Sequence, residues 1–147
     1  MRLVFGSDEA VASWASDRLK IAPLGSLSRG FVRPFTTIGV KDNQGLLSGA
    51  YIFNNFTGPD VELTVVGRGA ISREGFKAAA HYAFEQLGCI RVTATISADN
   101  YHAIGIAIRY GFKMEGVARH KFGKADGILL GLLKEENLYE HKKSTST

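Results

Sequence analysis

Asp60-Val61-Glu62-Leu63-Thr64-Val65-Val66 runs directly into Gly67-Arg68-Gly69-Ala70-Ile71-Ser72-Arg73-Glu74, and the reading of this stretch decides the fold. In its first part Val61, Leu63 and Val65 alternate with Glu62, Thr64 and Val66, the period of a strand, with Glu62 on the face opposite Leu63. The second part breaks that period with two glycines and opens a helix. In that helix Phe76, Ala80, Ala83, Phe84 and Leu87 form an apolar stripe, while Glu74, Lys77, His81 and Glu85 line the other side. Gly88 closes it. Ile90, Val92, Ala94 and Ile96 then alternate with Arg91, Thr93, Thr95 and Ser97, a second half-buried strand. A strand, a helix and a strand in this order predict a parallel pair with a right-handed crossover.

Working outward, Phe35–Asp42 and Leu46–Phe53 flank Asn43-Gln44-Gly45 and read as a hairpin. Upstream, Asp8–Lys20 reads as a helix that Ser7 or Asp8 can cap, with Val11, Trp14, Ala15 and Leu19 on one face and Pro23 and Gly25 beyond its end. Downstream, Ala98-Asp99-Asn100 starts a helix carrying Ala103, Ile104, Ala107 and Ile108 that ends at Gly111. Phe112–Lys121 and Gly127–Lys134 are two further strands across the turn Gly123-Lys124-Ala125-Asp126. The expected class is α+β: one domain over residues 1–140, with a mixed, mainly antiparallel sheet of about six to seven strands and helices on both faces. Residues 141–147, His-Lys-Lys-Ser-Thr-Ser-Thr, read as a disordered polar tail.

A chain of 147 residues can bury one sizeable core. With 22% charged residues and only short apolar runs it has no span long enough for a bilayer. The start of the chain shows no apolar signal region, so a cytoplasmic domain without a membrane is expected. The lone Cys89 makes no internal disulfide and no Cys/His spacing suggests zinc; no metal is expected. The net charge of +4 suits an anionic ligand, yet the chain has no dense Lys/Arg run with interleaved aromatics, which speaks against nucleic acid as a partner.

Chemistry concentrates in the loop 67–74. Glycines permit close backbone approach, the first turn of a helix turns unpaired N–H groups toward an anion, and Arg68 and Arg73 add charge. No Gly-Lys-Ser/Thr follows, so it is not a Walker loop, and the glycines lack dinucleotide-fold spacing. Glu62 can serve as a general base for an amine or be a solvated strand carboxylate. Tyr110 can give a proton to a leaving group or pack at a helix end. His81 and His120 read as surface residues and Cys89 as a small buried hydrophobe.

Ala78-Ala79-Ala80-His81-Tyr82-Ala83-Phe84-Glu85-Gln86-Leu87-Gly88-Cys89-Ile90-Arg91-Val92 resembles the helix-to-strand segment of the GNAT superfamily of N-acetyltransferases. Asn100 with Ala103, and then Tyr110-Gly111-Phe112-Lys113-Met114-Glu115-Gly116-Val117-Ala118-Arg119, resemble signatures of its ribosomal-protein-alanine acetyltransferase branch. The resemblance implies a splayed mixed sheet that holds acetyl-CoA, as co-substrate, between Asp60–Val66 and Ile90–Ser97. It implies pyrophosphate binding by the loop Arg68, Gly69, Ala70, Ile71, Ser72 and Arg73, pantetheine pairing near Val65 and Val66, and a cofactor contact from Asn100. The family's usual general-acid tyrosine falls on Ala107, which leaves Tyr110 as the nearby candidate. The implied activity is direct transfer of an acetyl group to a primary amine (a protein N-terminus, a lysine or a small amine) in a monomer or homodimer. Two alternatives stay open: acetylation of aminoacyl-tRNA, as in GNAT-type toxins, and a non-catalytic acyl-CoA-binding module.

Overall fold

The computed structural model describes residues 1–21 and 30–137. The expected helix stop at Pro23 and Gly25, the domain boundary at residue 140 and the tail lie outside them. The described chain runs β1 (Arg2–Phe5), α1 (Asp8–Leu19), β2 (Phe35–Lys41), β3 (Leu47–Asn54), β4 (Asp60–Val66), a 3₁₀ turn (Arg68–Ala70), α2 (Arg73–His81), a π-turn (Tyr82–Gln86), β5 (Arg91–Ser97), α3 (Tyr101–Tyr110), β6 (Lys113–Phe122), β7 (Ala125–Leu133) and a 3₁₀ turn (Lys134–Glu136). The strands form one seven-stranded sheet in the order β1-β2-β3-β4-β5-β7-β6. Only β4 and β5 are parallel, from Asp60↔Arg91 to Val65↔Ile96; every other pair is antiparallel. The expected α+β sheet with its parallel pair at 60–97 is thus the sheet that forms.

Strand alternation divides the core between the two faces. Val61, Leu63 and Val65 of β4, with Val92, Ala94 and Ile96 of β5, pack beneath α2, the π-turn and α3 through Phe76, Phe84 and Ala107. On the other face Ala50, Ile52 and Val66 meet Val11, Ala12 and Ala15 of α1. Burying Val, Leu, Ile and Phe side chains stabilises by roughly 1.5–3 kcal/mol each.

Several boundaries differ from the sequence reading. β1 was not anticipated: four residues are too few to show a period, and the strand exists because it pairs with β2, Leu3 opposite Val40 and Phe5 opposite Ile38. Neither expected cap closes α1. Ser7 makes no side-chain cap bond, and the Asp8 carboxylate accepts instead from the Thr37 amide (2.9 Å) and hydroxyl (3.0 Å), tying the helix to β2. Ile90 is not an inward strand residue but 62% exposed. The Pro59 carbonyl accepts from both the Ile90 and Arg91 amides, so the ladder begins at Arg91 and Ile90 lies beyond its end. The single helix expected to run to Leu87 changes winding at Tyr82, where the Leu87 amide reaches the Tyr82 carbonyl at 2.9 Å. That wider turn lets neighbouring Ala83 and Phe84 both enter the core. The hairpin β6–β7 carries register shifts between Met114 and Gly116 and between Ala118 and Phe122.

Candidate active site

The parallel ladder stops at Val65↔Ile96, yet both strands continue. Val66 stays paired with Ala50 of β3, and Ser97 with Gly127 of β7. Each strand is therefore held by its outer neighbour while the two part from each other. The gap is a cleft of about 330 Å³, lined by Val65, Val66, Gly67, Arg68 and Ile71 on one side and Ser97, Asp99, Asn100, Tyr101 and His102 on the other, with Arg18 and Leu19 of α1 at its rim. Its size lies in the usual range for small-molecule sites, roughly 300–1,000 Å³.

The loop beside the cleft is wedged in place. Gly67 has φ +83°, and a Cβ there would sit 2.5 Å from the Ser48 carbonyl oxygen and 2.9 Å from the Trp14 ring. A Cβ on Gly69 would run into Ser48 and the Gly49 amide. These glycines thus let the loop press on β3 and α1, a use of small size that the sequence reading had assigned to ligand approach. The Ala70 and Ile71 amides are spent on the 3₁₀ turn, donating to the Gly67 (3.3 Å) and Arg68 (3.0 Å) carbonyls. Ser72 then caps α2, its hydroxyl oxygen accepting from the Gly75 amide at 3.0 Å. The Arg73 and Glu74 amides fall in the first helical turn, where N–H groups lack intrahelical partners and favour an anion.

The structure brings together Val65, Val66, Arg68, Ile71 and Asn100 around one cleft. Gly69 and Ala70 lie behind it, Ala70 fully buried. Ser72 is the helix cap. Arg73 turns toward a second depression of about 240 Å³, shared with Ile106, Arg109 and Tyr110. Tyr110 does not line the cleft. It is buried against Phe76 (ring centroids 6.3 Å apart), in the core that holds Val61, Leu63 and Val65. Glu62 points to the opposite face, where the Asn55 side-chain amide donates to its carboxylate at 2.5 Å. Glu62 and Tyr110 therefore do not face each other across one site, because strand alternation sends one up and helix packing takes the other down.

Arg18, Ser97, Asp99, Tyr101 and His102 escaped the sequence reading. The Arg18 guanidinium lies over the Trp14 ring, 5.4 Å from its centroid, and their four-residue spacing in a helix was the signal available. The Ser97 hydroxyl donates to Asp99 at 2.6 Å. Cys89 is wholly buried, and burial, with the Asp60 charge adding to it, pushes its thiol up and away from the reactive thiolate.

At the opposite end of the same strand pair the side chains satisfy one another. Arg91 pairs with the Glu115 carboxylate, donates to the Thr93 hydroxyl at 2.9 Å and lies 3.9 Å from Asp60, which accepts from Thr93 at 3.0 Å. The hydrogen bond to Glu115 pushes the Arg91 pKa up further, outweighing its partial burial. Among the described residues no group of His, Cys, Asp and Glu could hold a metal ion. Among them, too, no helix is long and apolar enough to cross a membrane.

No family model matches the chain, and no curated protein matches it. Solved structures do. The spermidine N-acetyltransferase of Vibrio cholerae in complex with CoA and spermine aligns with a TM-score of 0.66 at 15% identity, over 93% of this chain and 97% of that one. Mutant forms of the spermidine/spermine N-acetyltransferase of the same organism align at 0.64 and 16%, over 95% and 99%. A dodecameric form aligns at 0.58 and 19%, over 74% and 70%. The chain has the fold of these acetyltransferases, the GNAT architecture that its sequence resembles.

Proposed function

We propose that the protein is an acetyl-CoA-dependent N-acetyltransferase acting on a primary amine. The observation that carries this reading is the parting of β4 and β5 beside a capped helix start. A backbone edge at Val66, apolar Val65 and Ile71 and the Arg68 charge line one cleft, and the first amides of α2 follow Ile71 and the Ser72 cap in the chain. That set fits the coenzyme part by part: amides and Arg68 for the pyrophosphate, and the strand edge for the amide-bearing arm. The CoA-bound neighbour of the same fold supports the choice.

In the proposed reaction the amine lone pair attacks the thioester carbonyl carbon, the C–S bond breaks, and the sulfur leaves as thiolate. The carbonyl oxygen is polarised by a strand amide near Val66, which stabilises the charge that develops on it. Glu62 takes the proton of the attacking nitrogen, through water. Tyr110 is the alternative proton donor to the sulfur, but its burial in the depression beside Arg73 weighs against it, and a thiolate leaves without a strong acid. Holding both reactants in one ternary complex supplies the larger part of the acceleration.

A polyamine acceptor, such as the spermine of the neighbour's complex, is disfavoured by this chain's net charge of +4, which repels a polycation. A protein N-terminus, including the N-terminal alanine of the branch that the sequence resembles, a lysine or a small amine carries less charge and fits better. The test is twofold. Acetyl-CoA at a hundredfold excess over its Kd is expected to stabilise the fold by ~2.7 kcal/mol, read as a thermal shift. Thiol release with a panel of an alanine-terminated peptide, a lysine peptide, spermidine and small amines then identifies the acceptor. No shift at millimolar acetyl-CoA sinks the reading; a shift without turnover on any amine leaves a binding module instead.

A further inference from the structure

We infer that Tyr51 is the positioning residue of the anion-binding loop: its hydroxyl, set in the core beneath residues 67–72, fixes the direction in which the first amides of α2 point. The inference rests on the coenzyme A reading for its functional half.

Tyr51 stands on β3 opposite Val65 and has no exposed surface. Its ring meets Phe76 edge-on, with centroids 5.6 Å apart, and its hydroxyl donates to the Ala70 carbonyl at 2.6 Å. Ala70 ends the 3₁₀ turn, two residues before the α2 cap, so the phenol grips the chain where the loop hands over to the helix. Two residues on, the Ser72 hydroxyl caps α2 by accepting from the Gly75 amide at 3.0 Å. Gly75 completes the arrangement, because a Cβ there would run into the Tyr51 hydroxyl. Phenylalanine would fill the same volume without burying a polar atom, so core packing alone does not call for the hydroxyl. Burial pushes the phenol pKa up, which keeps the group a proton donor across the physiological range.

Tyr82 provides a matched comparison: its ring packs on Phe53 and its hydroxyl bonds to Thr36 at 3.0 Å, outside the loop. In free protein, Tyr51→Phe is expected to speed amide hydrogen exchange over residues 68–74, and Tyr82→Phe to leave it unchanged. Calorimetry is expected to show coenzyme A binding weakened about three- to tenfold by Tyr51→Phe alone, the scale of one buried hydrogen bond. Gly75→Ala, whose methyl meets the hydroxyl first and the ring behind it, should weaken binding in the native background and lose part of that effect in the Tyr51→Phe background. If Tyr51→Phe itself folds poorly, faster exchange over residues 68–74 in Gly75→Ala, with Tyr51 in place, supports the anchoring and unchanged exchange overturns it. Unchanged exchange, faster exchange with full affinity, or an equal loss in Tyr82→Phe overturns the inference. Wild-type protein that binds no coenzyme A overturns the function proposed above, and the exchange pattern then decides the anchoring alone.

Discussion

At Asp60 and Arg91 the strands β4 and β5 meet under a web of carboxylate, guanidinium and hydroxyl groups, whereas past Val65 and Ile96 the same two strands separate around a cleft. The difference lies in where each charge finds its partner. At the first end Arg91 is satisfied by Glu115, Thr93 and Asp60. At the second, no carboxylate among the described residues pairs with Arg68. Nothing in the antiparallel neighbours forces the opening, since Val66↔Ala50 and Ser97↔Gly127 keep regular pairing. One end of the pair is thus closed by the protein's own side chains, and the other opens on the cleft proposed above for the coenzyme.

The contrast can be broken at three places. Glu62 stands on β4 outside the Asp60 web, with Asn55 as its partner. If it draws the proton from the amine, Glu62→Gln keeps the shape and is expected to lower kcat by ~10²-fold at neutral pH with coenzyme affinity unchanged. Wild-type kcat with a saturating acceptor would make Glu62 an ordinary strand residue. Gly69→Val attacks the parted end. Its side chain must push against Ser48 and Gly49 and move the loop, so coenzyme A affinity should fall by about tenfold in calorimetry. Full affinity would place the coenzyme elsewhere. Glu115→Ala attacks the tied end and should have the smallest effect. The pair with Arg91 is partly exposed, so chemical denaturation should show a loss of about 1 kcal/mol or less while coenzyme affinity holds. A weakened affinity in this variant would mean that the two ends are coupled.

The sequence was most legible where one periodic signal ran unopposed. β4 occupies Asp60–Val66 as read, because Val61, Leu63 and Val65 alternate cleanly and every one of them is buried. The helix end at Gly111 was equally readable. Legibility failed where the decision is tertiary. β1 exists only through β2, and Ile90 kept the alternating pattern after the ladder that gives the pattern meaning had ended. The π-turn left no trace, since an apolar stripe looks the same whether or not one residue is inserted into the winding. In the site, Arg68 and Ile71 of the loop line one cleft with Val65, Val66 and Asn100, which the family resemblance implied, while Gly69, Ala70, Ser72 and Arg73 do not. Arg18 comes from a helix far away in sequence, and its exposed face reads as any helix-end cation. Tyr110 carried a plausible position in sequence, but helix packing turned it into the core.

The uneven register of β6 has a bearing on the life of the protein at high concentration. β6 is a ten-residue strand at the border of the sheet, and most of its length is exposed. A flat border of that length is a template on which another chain can add strands without limit. Its two register shifts, at Glu115 and between Ala118 and Phe122, put the outward amides out of step, and His120 at φ +57° twists the backbone further. Lys113, Arg119 and Lys121 add charge along the same rim. An edge with these irregularities and charges offers a poorer template for an added strand than a flat one of the same length.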